Sequence, residues 1–115
     1  MQRRDPSKAV QVLDLVLEFF GNGHRWRRYR LRDSEGNRCL AGALGHVRRA
    51  HRISGDGARY YLMKAIYPDL GIPVPVEMFN DDCETYDQVK QVIIEARALA
   101  AADLVQEHQP ARLAA

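Results

Sequence analysis

Apolar residues return every three or four positions in four separate stretches of this chain, and glycine or proline punctuates the gaps between them. That period gathers apolar side chains on one face of a helix, and each such face needs a partner to cover it. In the first stretch Ala9, Val12, Leu13, Val16, Leu17 and Phe20 share a face. Asp5 can cap the free N–H groups there, and Pro6 suits the first helical position, where its missing N–H costs nothing. Gly21-Asn22-Gly23 supplies the left-handed positions that end a helix.

The second helix opens at Cys39 and runs to about Arg52, with Leu40, Ala43, Leu44 and Val47 inward. Ala41, Gly42 and Gly45 are small enough to admit a second backbone, and a glycine in a helix costs roughly 1 kcal/mol relative to alanine. That cost points to a packing or ligand reason. Ser54-Gly55-Asp56-Gly57 breaks the chain, with Asp56 as a cap, and Ala58, Tyr61, Leu62, Ala65 and Ile66 face inward until Pro68 stops the third helix. Residues 70–84, with Pro73 and Pro75, read as irregular and extended. Thr85 followed by Gln88 is a capping-box pattern, and it opens a last helix that buries Val89, Val92, Ile93, Ala96, Ala100 and Leu104.

Between the first two helices the pattern changes. Residues 25–32 hold five arginines, with Trp26 and Tyr29 between them and no helical period. A strand would set Tyr29 and Leu31 on one face and Arg28, Arg30 and Arg32 on the other. Ser34-Glu35-Gly36-Asn37 is a turn. The pattern therefore predicts an α+β domain, mainly α. It has about four helices and a short β-hairpin or extended arm, residues 26–40, between the first and second.

A chain of 115 residues supports one core, and its 46% hydrophobic content separates it from disordered chains. The expectation is a single domain, ordered over about residues 5–108, with a frayed C-terminal tail. No stretch is long and apolar enough to span a membrane. The opening residues lack the apolar run of a secretory signal, so a cytoplasmic protein is expected, with Cys39 and Cys83 as free thiols. Charge is uneven: residues 1–60 hold 13 Lys/Arg and 6 Asp/Glu, and residues 61–115 hold 4 and 9. That split suits an anionic partner for the first half, or attraction between the halves within one chain or across a homodimer.

The order Trp26, Asp33, Gly36, Cys39-Leu40-Ala41-Gly42-Ala43-Leu44, then Phe79-Asn80-Asp81 before the Thr85 helix, resembles a family of short bacterial and phage proteins filed as a domain of unknown function. Its members share a Trp before a Gly-x-x-Cys-x-x-Gly-Ala segment and a Phe-Asn-Asp before the final helix. The resemblance covers roughly residues 10–100. It carries no activity, but it implies that Trp26, Cys39, Gly42, Asn80 and Asp81 matter. The arginine-rich arm departs from it.

Chemistry has two starting points. A cysteine opening a helix is favoured as a thiolate by the helix dipole, which makes Cys39 a candidate nucleophile with His24 or His108 as its base. Its structural alternative is a small core residue, which is the favoured reading. His46 and His51 lie about 140° apart on a helix and cannot share a metal as an i, i+4 pair does. No metal and no cofactor is expected. The Asp81-Asp82-Cys83-Glu84 run serves a helix entry, and Asn80 and Asp81 suit loop-tying. The second starting point is the arm, where arginine forks bind phosphates and aromatic rings stack on bases. Its structural alternative is a charged edge that blocks aggregation. The leading expectation is a non-enzymatic binding module from a phage or mobile element. It would use Arg25, Trp26, Arg27, Arg28, Tyr29, Arg30, Arg32, Asn80 and Asp81 to meet nucleic acid, a nucleotide or an acidic protein surface. The alternatives are a small cysteine-dependent enzyme and a structural or regulatory homodimer.

Overall fold

The computed structural model describes residues 5–67 and 76–107. Five helices lie within them: α1 (Pro6–Phe20), α2 (Leu40–His51), α3 (Asp56–Ile66), α4 (Val76–Asp82) and α5 (Tyr86–Glu107). The α1 helix packs on α5, α3 and α2, and α5 also covers α3. The inward stripes meet as the spacing predicts. Val12, Leu13, Val16, Phe20, Leu40, Leu62, Val89 and Ile93 are all buried, each worth about 1.5–3 kcal/mol against exposure. Polar ties lock the bundle: the Tyr61 hydroxyl donates to Asp103 at 2.6 Å, and Arg97 pairs with Asp14. Among the described residues only the Arg59–Glu77 pair sets a cation of residues 1–60 against an anion of residues 61–115, since Arg97–Asp14 runs the other way.

The helix ends follow local chemistry. The Asp5 carboxylate accepts the Lys8 N–H, and the Gln88 side chain accepts the N–H groups of Glu84 and Thr85 at 2.6 and 3.1 Å. Gly55, not Asp56, is the N-cap of α3, and Asp56 is its first residue. The stops expected at Pro68 and Pro110, the frayed tail and His108 lie outside the described residues.

Two expectations are corrected. The first is the α+β class: the described residues form no β-strand, and the fold is helical. Residues 21–39 make a looped arm whose sole ladder-like contact is one isolated bridge, Trp26 with Arg38. Arg27 N–H donates to the Arg38 carbonyl at 2.9 Å, and Arg38 N–H donates to the Arg25 carbonyl at 2.8 Å. That bridge is parallel, whereas a hairpin pairs its strands antiparallel. Tyr29 also takes a φ of +66°, which breaks the two-residue alternation a strand requires. Its N–H goes to the Asp81 carboxylate and not to a neighbouring strand. The second correction concerns residues 70–84, expected to be extended throughout. Val76–Asp82 is a helix there, with Val76 and Asn80 buried four residues apart on one face.

Gly42 shows what holds the arm down. A Cβ on it would lie 1.9 Å from the Leu31 carbonyl oxygen, so the arm's backbone rests directly on α2. Gly45 does no such work, since its nearest neighbour is the Arg49 side chain of the same helix.

Candidate functional site

Asn80 organises the region. It is fully buried on α4, and its amide oxygen accepts the Trp26 indole N–H at 2.6 Å and the Leu40 backbone N–H at 3.0 Å. Its amide nitrogen donates to the Arg27 carbonyl at 3.1 Å. One side chain thereby ties the arm, the start of α2 and α4 together. Next to it, the Asp81 carboxylate accepts the Tyr29 N–H at 2.7 Å, and the Asp81 carbonyl accepts two N–H groups from Arg28, at 3.1 and 2.8 Å. The Arg28 guanidinium also lies over the Tyr29 ring, 4.9 Å from its centre, and donates to its hydroxyl.

These contacts sort the residues named from sequence. Trp26, Arg28, Asn80 and Asp81 form a structural latch. Arg27 is taken up by Asp33 at 2.7 Å, and that pairing raises the affinity of Arg27 for its proton and holds the Asp33 carboxyl well below the usual range. Asp33 also accepts the N–H groups of Glu35 and Asn37, so it shapes the turn. A surface cavity of about 820 Å³ lies along the arm, but Asp33 and Glu35 share its lining with the arginines. Tyr29 is 69% exposed and Arg25 lies over Phe19, 5.3 Å from the ring centre. The side chains of Arg30 and Arg32 have no partner among the described residues, where the ion pairs are Arg27–Asp33, Arg59–Glu77 and Arg97–Asp14.

Cys39 stands at the N-cap of α2, where its sulfur accepts the Gly42 N–H at 3.4 Å. The thiol is 3% exposed, and burial pushes its pKa up despite that bond. Desolvation of the thiolate outweighs the dipole here. His24 is occupied in its own loop, where its Nδ1 meets the Asn22 side chain. Cys83 is likewise buried and unbridged. Among the described residues no group of three or more His, Cys, Asp or Glu is arranged to hold a metal.

The chain matches no family model, no curated protein and no solved structure. Its function must be argued from its own surface.

That surface holds a cationic group that sequence reasoning did not assemble. Arg38 is half-buried, and its Nε is shielded from solvent with no hydrogen-bond partner among the described residues. Burial and the nearby charges of Arg32 and Arg49 all lower its pKa. His46 is pushed down by burial first, then by Arg38, Arg49, His51 and Arg25. Arg32 and Arg49 thus lie within electrostatic reach of Arg38, and Arg25, Arg38, Arg49 and His51 within reach of His46, along α2 and the arm. The signal available beforehand was the basic last turn of α2, with Arg48, Arg49 and His51. No helix among the described residues is long and apolar enough to cross a membrane.

Proposed function

We propose that this chain is a non-enzymatic binding module that holds the phosphate backbone of a nucleic-acid strand. The carrying observation is the placement of Arg32 and Arg49 around Arg38, none of the three in an ion pair among the described residues. Like charges brought together without a counter-charge oppose folding, and a bound polyanion relieves that repulsion. The Tyr29 ring on the same arm is 69% exposed, and its face away from Arg28 suits base stacking, which favours a single strand. The reading moves the binding surface away from Arg27 and Arg28, whose charges serve the fold. The free thiols suit a reducing cytoplasm, where we place the protein.

Salt titration of oligonucleotide binding is the test. Affinity should fall steeply with ionic strength, with a slope that drops by about one for each phosphate-contacting arginine removed. Arg32→Ala combined with Arg49→Ala should weaken binding by at least roughly tenfold, since each contact is worth on the order of 1 kcal/mol. Absence of binding at low salt, or an unaltered slope in the double variant, would overturn the proposal. A homodimer is a second reading with one observation of its own. Ile94 and Val105 on α5 are 43% and 56% exposed, with Ala98 between them on the same side of the helix. The cysteine-enzyme reading gains no support from a buried thiol of raised pKa.

A further inference from the structure

A second cavity, of about 320 Å³, lies between the end of α1 and the side of α2. Its walls bring together His24, Arg25, His46 and His51, with Phe19 at the back and Glu18 on one wall. Phe19 organises it: the His46 ring sits 5.1 Å from the Phe19 ring centre, and the Arg25 guanidinium sits 5.3 Å from it. Both side chains are therefore held in place before any ligand arrives. His24 is fixed through Nδ1 by Asn22, which leaves Nε2 for another partner. Neither His46 nor His51 has a ring hydrogen bond among the described residues. We propose that this cleft binds a terminal phosphomonoester, held by Arg25 and by His46, which takes up a proton as it binds.

The charge balance supports that choice of ligand. At neutral pH Arg25 and Glu18 offset each other, so the histidines set the sign of the cleft. Around His46 stand Glu18 from α1, His24 and Arg25 from the following loop, Arg38 from the arm, and Arg49 and His51 from α2 itself. In the empty cleft burial, and after it Arg38, Arg49, His51 and Arg25, oppose protonation of His46. A phosphate group reverses that balance, so binding and protonation assist each other. The second ionisation of a phosphomonoester falls near pH 6, in the same window as histidine, so dianion and imidazolium coexist there. A phosphodiester carries a single charge at all these pH values and gains less. The proposal rests on the nucleic-acid reading only for the source of the phosphate.

The test uses the full chain and three probes: a phosphate-terminated oligonucleotide, its hydroxyl-terminated twin and a free nucleoside monophosphate. The phosphate-terminated strand should bind roughly tenfold tighter than its twin near pH 6, with the preference gone near pH 8. Histidine proton resonances should show the His46 titration midpoint rising when inorganic phosphate is added. His46→Gln should remove the preference while leaving binding of the hydroxyl-terminated strand in place, and Arg25→Ala should weaken the phosphate-terminated strand more than its twin. Equal affinity for both strands at both pH values would overturn the pocket, as would a midpoint unmoved by phosphate. Strong competition by the monophosphate supports the cleft with a free nucleotide as source, and weak competition supports it with a strand end. Loss of hydroxyl-terminated binding alone would sink the backbone reading and leave the pocket standing on the phosphate titration.

Discussion

The Trp26 indole donates to the buried Asn80 amide at 2.6 Å across 54 positions of sequence, and this bond closes the arm onto the helical bundle. Leu40 N–H shares the same oxygen, so losing Asn80 strands two donors and the Arg27 carbonyl together. A buried polar group left unpaired costs about 1–3 kcal/mol. Asn80→Ala should therefore destabilise the chain by about 3 kcal/mol or more in urea denaturation. Trp26 is the single tryptophan, so its fluorescence should shift to longer wavelength as the arm releases. A variant of unchanged stability and emission would refute the latch.

The two glycines of α2 should behave oppositely. Gly42→Ala drives a Cβ to 1.9 Å from the Leu31 carbonyl oxygen, so arm or helix must move. A loss of about 2 kcal/mol or more is expected, within the range for overpacked cores. Gly45→Ala meets only the flexible tip of Arg49 at 3.2 Å, and it should gain up to about 1 kcal/mol from helix propensity. Thermal denaturation of the pair checks this, and equal effects would contradict the contact between arm and helix.

Both thiols should be slow. Cys39 and Cys83 are buried, and burial raises both pKa values. Alkylation near pH 7 should run well below the rate of free cysteine and rise on adding denaturant. A fast-reacting Cys39 in the folded chain would revive the nucleophile reading.

Acid should weaken the fold through His46. Its pKa in the folded state is lowered, so below the unfolded value of about 6.5 the unfolded chain binds the proton more readily. Stability from this group is full above that value and is lost as pH falls through it. His46→Gln should flatten the stability profile between about pH 7 and pH 5. Phosphate added to the unaltered chain should restore part of the loss. A profile identical in both proteins would show that His46 feels no such field.

Arg27 and Asp33 illustrate why the site was only half legible. Their types and spacing suggested a basic arm and a turn, and both exist. That Arg27 folds onto Asp33, while Arg32 and Arg49 approach Arg38, depends on the path of residues 21–39 through space. A two-residue period assumes uniform φ, and the left-handed Tyr29 violates it because Asp81, from a distant helix, offers its N–H a better acceptor. The α4 helix escaped notice for a related reason. Seven residues are too few to show a period, and its stability comes from burying Val76 and Asn80.

Periodicity and end signals by themselves determined four of the helices, their inward faces and the caps at Asp5 and Gln88. Those choices rest on interactions within a few residues, which the order of side chains already encodes. Tertiary packing alone decided that residues 21–39 form a latched arm and not a hairpin. It also decided that Asn80 and Asp81 serve that latch, that Cys39 is sealed in the core, and that arginines and histidines from three segments gather on one surface. Each depends on groups far apart in the chain meeting at hydrogen-bonding or Coulombic range, where geometry, and not residue type, sets the energy.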